Sequence, residues 1–116
     1  MKYLFLLYVD QSDPPQPGTP EFGEMMAGYQ AFHDALARDG IEWTGEALQV
    51  AATATTVKRR MGKTETMDGP YAETKEQLGG YYLIDLPDLD SAMKYAALIP
   101  AASVGSVEIR PVQVFN

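Results

Sequence analysis

The chain has 116 residues, a net charge of −7 and 46% hydrophobic residues. That length suits one domain, residues 1–116, with a modest core. The absence of cysteine excludes disulfides, thiolate nucleophiles and Cys-bound zinc, and the acidic balance argues against nucleic acid as a partner. Residues 2–9 carry apolar groups on both sides of an extended strand: Tyr3, Phe5, Leu7 and Val9 face one way, Leu4, Leu6 and Tyr8 the other. A strand apolar on both faces must be covered on both. The same run lacks the longer basic region and the small-residue cleavage site of a signal peptide. No apolar stretch approaches the roughly 20 residues of a membrane span. The expectation is a cytoplasmic protein with no membrane partner.

Residues 10–19 read as a loop rich in Asp, Ser, Pro and Gly. Thr19 suits an N-cap and Pro20 the first helical position. Phe22, Met25, Met26, Tyr29, Phe32, His33 and Leu36 then follow helical spacing, and Gly40 suits the C′ position. Residues 41–49 are extended or irregular. Residues 53–61 and 64–67 predict a hairpin turning at Gly62-Lys63. Its basic run, Lys58-Arg59-Arg60, places charge on both faces and reads as a solvated edge.

The stretch from Asp68 to Tyr82 is the densest in special residues. Asp68-Gly69-Pro70-Tyr71 breaks regular structure, and the segment after it has room for one helical turn. Gly79-Gly80 marks a tight spot before a strand over 81–86, where Tyr82, Ile84 and Leu86 oppose Tyr81 and Leu83. Asp88 or Asp90 caps a second helix that buries Leu89, Met93 and Ala96 and stops at Pro100. A last strand runs from Val107 to Phe115, with Pro111 marking an edge or bulge. The order is that of an α+β, ferredoxin-like split βαβ fold with an extra hairpin. Its two helices cover one sheet face, and a second subunit is the simplest cover for the other.

The run Asp68-Gly69-Pro70-Tyr71-Ala72-Glu73-Thr74-Lys75-Glu76-Gln77-Leu78-Gly79-Gly80-Tyr81-Tyr82 resembles the signature of the YCII-related family, in the subgroup named for a DGPF motif. Tyr71 stands where that name has Phe. The resemblance continues through Leu83-Ile84-Asp85, Pro87-Asp88-Leu89-Asp90 and Gly105-Ser106-Val107-Glu108-Ile109-Arg110-Pro111-Val112. It implies a homodimer in which two ferredoxin-like sheets form an α+β barrel. It also implies genes often lying beside those of alternative sigma factors. Other members carry a His near the start of the first helix, suspected of pairing with an Asp as an acid/base dyad. Tyr29 occupies that position here.

Candidates for proton chemistry are therefore Tyr29, His33 (the sole histidine) and Asp68. Tyr29 and His33 share a helix face, and Asp68 ends a hairpin, so the three are expected to line one cavity. Tyr71, Glu73, Lys75, Glu76 and Arg110 are candidates for ligand binding; ion pairing, such as Arg110 with Glu108, is their structural alternative. No spacing indicates a metal site. Gly62-Lys63-Thr64 has the tail of a phosphate-binding loop, but Val57 stands where the upstream Gly is required. No cofactor fingerprint is present. Two readings stay open: cofactor-free acid/base chemistry on a small polar molecule, or a non-catalytic ligand-binding or regulatory module.

Overall fold

The two main helices begin where short polar side chains cap them. In the computed structural model, which describes residues 1–116, Thr19 Oγ1 accepts the Phe22 N–H at 3.3 Å and Pro20 opens α1 (Pro20–Arg38). The helix closes in a Schellman turn. Gly40 takes a φ of +68°, its N–H reaches the Ala37 carbonyl, and the Ile41 N–H returns to the Leu36 carbonyl at 2.9 Å. Asp88 accepts the Ser91 N–H at 2.8 Å and starts α2 (Leu89–Ala96). The Tyr95 hydroxyl of α2 donates to Asp39, tying the ends of the two helices together.

Six strands follow the chain: β1 (Lys2–Val9), β2 (Trp43–Ala47), β3 (Thr55–Arg60), β4 (Lys63–Asp68), β5 (Gln77–Asp85) and β6 (Ser106–Pro111). Four form an antiparallel sheet in the order β2-β5-β1-β6, and β3 and β4 form a separate two-stranded ribbon. The architecture is α+β. The register sets Tyr3 opposite Ile84 and Phe5 opposite Tyr82. These residues, with Leu7 and Leu86, meet Phe32 and Leu36 of α1 and Ala92 and Ala96 of α2 in one core. The alternate residues, Leu4, Leu6, Tyr8, Tyr81 and Leu83, lie on the opposite face and stay half-exposed. No helix is long and apolar enough to cross a membrane.

Several elements differ from their sequence-based expectation. In α2 the buried residues are Ala92 and Ala96, while Leu89 and Met93 are exposed. Small side chains let so short a helix approach the sheet, and the larger ones turn outward. Pro100 does not end helical structure but precedes a short helix, α3 (Ala101–Val104). The last strand stops at Pro111 rather than Phe115; Pro111 has no N–H to extend the ladder on this edge strand. The segment after Asp68 forms no helical turn: Gly69 takes a φ of +99° and the chain runs in bends to Gln77. Gly79 and Gly80 lie inside β5, at a bulge opposite Leu7 and Tyr8. In α1 the apolar stripe is buried only at Phe32, Ala35 and Leu36; Met25 and Met26 of its first half border open space instead.

Gly45 sets how closely β2 can join β5. A Cβ there would lie 2.5 Å from the Tyr81 carbonyl oxygen and 2.7 Å from Cδ1 of Tyr82. We expect Gly45→Ala to lower stability in urea by about 1–3 kcal/mol, the range for overpacking a closed contact. An unchanged midpoint would show that β2 can yield at no cost.

Candidate functional site

The first half of α1 makes a roof, and β2 and β5 make a floor. Between them lies a cavity of about 410 Å³. Its walls are the side chains of Met25, Met26, Tyr29 and His33 from α1, Trp43 from β2 and Tyr82 from β5. Gly45, Gly79 and Gly80 also border it. Helical spacing places Tyr29 and His33 one turn apart on the same face. Strand alternation places Trp43, opposite Ile84 in the ladder, on the helix side of the sheet.

His33 is the chemical centre of this cavity. Its Nε2 lies 2.8 Å from the Tyr82 hydroxyl oxygen. Its ring stacks on Trp43 with centroids 4.6 Å apart and planes at 14°. Tyr82 stands edge-on to Trp43 and to Phe32, at 5.4 and 5.1 Å. The imidazole is thus clamped on its face and bonded at one nitrogen. Burial pushes the Tyr82 phenol up to about 12, helped by the nearby Tyr29. Burial also raises the Tyr29 phenol above its ordinary value. Both phenols are protonated donors at neutral pH. The protonated Tyr82 O–H can donate to Nε2 where the ring proton of His33 sits on Nδ1. A ligand group that donates to the Tyr82 oxygen would pass charge onto His33 through this bond.

Asp68 is not part of this cavity. It ends β4, opposite Thr55 in the separate ribbon, and is exposed. Its turn is held instead by two other hydrogen bonds: the Gly69 N–H donates to the Ala54 carbonyl at 2.7 Å, and the Thr56 hydroxyl donates to the Gly69 carbonyl at 2.9 Å. Helix and hairpin connect to different parts of the sheet, so sharing the chain order does not bring their ends together. The shared cavity holds for Tyr29 and His33 and fails for Asp68.

The ligand-binding candidates divide. Glu73 and Lys75 line an open polar trough of about 710 Å³ with Asp10, Gln11, Ser12 and Gln77. Gln11 Oε1 accepts the Ala51 N–H at 2.9 Å and braces that trough, while Ser12 and Lys75 hold the Asp10 carboxyl below its ordinary value. Glu76 instead accepts from Ser106 Oγ at 2.8 Å, joining the starts of β5 and β6. Tyr71 is 79% exposed, with its ring 5.7 Å from Lys58 Nζ. Arg110 lies on the sheet face away from the helices, 3.8 Å from Glu108. No three acidic or histidine side chains converge as a metal site would require.

Sequence reasoning missed Trp43 and Tyr82. Their signal was present: a lone Trp on an alternating strand, and a Tyr on the inward face whose hydroxyl needs a partner. We expect ultraviolet titration to show one phenol ionising at about pH 12, and Tyr82→Phe to lack that step. The folded-state value is raised above 10.0. Neutral Tyr82 therefore contributes stability fully below pH 10, and this is lost as pH rises through 12. Nitrogen-15 NMR should find the Nδ1–H tautomer of His33 in the wild type and a mixture in Tyr82→Phe; equal tautomer ratios in both would contradict the assigned donor.

A YCII-related domain matches residues 1–116. An uncharacterized protein of Rhizobium meliloti (strain 1021) is 36% identical over 118 residues, covering 100% of this chain and 95% of that protein. The match thus extends along the whole sequence, and the chain belongs to the YCII-related family.

Proposed function

We propose that this protein is a cytoplasmic homodimer that binds a small molecule beneath α1, where His33 and Tyr82 act as an acid/base pair. The observation that carries this reading is the 2.8 Å His33–Tyr82 bond inside an aromatic cavity of about 410 Å³. A lone core histidine would need only a carbonyl partner. This one is stacked, bonded to a second titratable group, and half-exposed beside open space. The walls favour a ligand with a flat or apolar body and one hydrogen-bonding head, rather than a wholly polar one. Tyr29 is placed to bond that head. The family dyad's Asp has no counterpart at Asp68, so any proton transfer runs through the phenols.

The sheet order β2-β5-β1-β6, with helices on one side, supports the ferredoxin-like reading. The Asp68-Gly69-Pro70-Tyr71 run supports the DGPF subgroup. The open sheet face supports the dimer. Its centre is apolar, with Leu4, Leu6, Tyr81 and Leu83, and its edge strands carry Thr44 and Glu46 on one side, Glu108 and Arg110 on the other. That is the apolar centre and polar rim of a protein interface. Two such faces packed together would form the α+β barrel.

Two experiments test this reading. Sedimentation should give a dimer at micromolar concentration, and Leu83→Glu should dissociate or unfold it, because a charge would be buried without a partner; a stable wild-type monomer would sink the dimer. For the pocket, NMR titration with 4-hydroxybenzoate, catechol and indole should move the Trp43 indole and the Met25 and Met26 methyls. His33→Ala should weaken the best of these about tenfold, as for loss of one buried hydrogen bond. Shifts confined to the polar trough would overturn the pocket assignment.

A further inference from the structure

The β3–β4 hairpin is the part of the chain that nothing covers. The turn at Met61 and Gly62, both at positive φ, joins Arg60 to Lys63 and closes it tightly. Neither strand contains a buried residue, and all six residues of β4 are exposed. One face carries Thr55, Val57, Thr64 and Thr66, β-branched residues of the kind strands normally bury, with Arg59 toward the tip and Asp68 at the base. Val57 is 62% exposed, and Met61 at the tip is fully so. A two-stranded ribbon is at best marginally stable alone in water. This one pairs with no strand of the main sheet. Its strands are long enough to reach about 20 Å. The radius of gyration is 16.3 Å, against about 13 Å for a compact chain of this length.

Charge identifies what the arm holds. Four of the nine basic residues of the chain, Lys58, Arg59, Arg60 and Lys63, lie in the hairpin, with only Glu65 and Asp68 of the sixteen acidic ones. The hairpin therefore carries +2 and the remainder −9. Within its own chain the arm points its charge into solvent: Arg59, Arg60 and Lys63 form no ion pair. A second copy of this chain presents the complementary acidic body. We propose that the hairpin is an arm by which each copy grips the other, laying its Val57–Arg59 face and its Met61 tip on the acidic body of the partner. The inference rests on the homodimer proposed above and adds a second contact to it, outside the sheet face. Opposite charge steers the arm onto its partner, and the β-branched face supplies the buried area.

The test uses the full chain and three readouts. The variant Arg59→Glu/Arg60→Glu alters exposed side chains only and keeps both hairpin lysines; far-ultraviolet circular dichroism checks its fold. We expect its dimer to weaken about tenfold or more relative to wild type. In the wild-type dimer, amides of residues 55–68 should exchange slowly, and dilution to monomer should release them. Carbodiimide coupling of an equimolar mixture of nitrogen-15-labelled and unlabelled protein should join Lys58 or Lys63 to carboxylates of the other isotope. A wild-type dimer with freely exchanging hairpin amides, no mixed-isotope links and an unweakened variant overturns the arm while leaving the dimer intact. A wild-type monomer overturns both. Binding of duplex DNA or RNA that the variant abolishes, with dimerisation unchanged, overturns the arm in favour of a nucleic-acid contact.

Discussion

The structure depends on two strands that are apolar on both faces. β1 and β5 sit at the centre of the sheet, and every other element is placed by which of their faces it covers. One face takes α1 and α2, and Phe5, Ile84 and Leu36 are fully buried there. The other has the same apolar character at Leu4, Leu6, Tyr81 and Leu83 and no cover within the chain. Only 14 of 116 residues are buried, which is little for a chain with this hydrophobic content. A core this small is at the margin of what a domain of this length needs. The uncovered face and the uncovered hairpin therefore belong to one problem: single-chain burial is incomplete.

The cavity exists because α1 packs closely over only part of its length. α1 has 19 residues and spans roughly 28 Å at 1.5 Å per residue. Phe32, Ala35 and Leu36 of its second half are buried, while Met25, Met26 and Tyr29 border the cavity. Close packing on one side is what permits open space on the other. Gly28 admits Pro100, since a Cβ there would fall 2.8 Å from Pro100 Cγ, and this seats the helix from the α2–α3 side. Gly45 lets β2 approach β5, and the bulge at Gly79 turns the end of β5. The hydroxyl of Tyr82 then emerges at the boundary between core and cavity, where it meets His33. Burial raises its pKa and keeps it protonated, so the same geometry that forms the core also sets the proton inventory of the site.

The aromatic cluster has a structural and a chemical face. Phe32, Tyr82 and Trp43 pack edge to face as any core aromatics would. His33 joins the group by stacking, which fixes its plane, and by one hydrogen bond at Nε2. An imidazole held in this way loses little freedom when a ligand arrives. The polar trough beyond β1 is different in kind. Its walls are loop residues and exposed side chains, with carboxylates and one ammonium facing open water, where electrostatic contacts contribute little.

Local pattern was enough for the central strands and the starts of the main helices. Alternation in residues 2–9 and 81–86 stated which side chains share a face, and Thr19, Pro20, Gly40 and Asp88 marked helix ends, because each of these depends on neighbours in the chain. The family was equally legible, through the Asp68–Tyr82 run. The shared face of Tyr29 and His33 followed from helical spacing alone. Tertiary structure alone decided who stands opposite that face. His33 and Tyr82 are 49 residues apart, and their meeting depends on strand register and on how α1 seats on the sheet. Asp68 sits elsewhere because the hairpin forms its own ribbon instead of extending the sheet. Leu89 and Met93 turn outward because close approach of a short helix selects alanine. Periodicity reports a direction from the backbone; only the packed chain reports what lies in that direction.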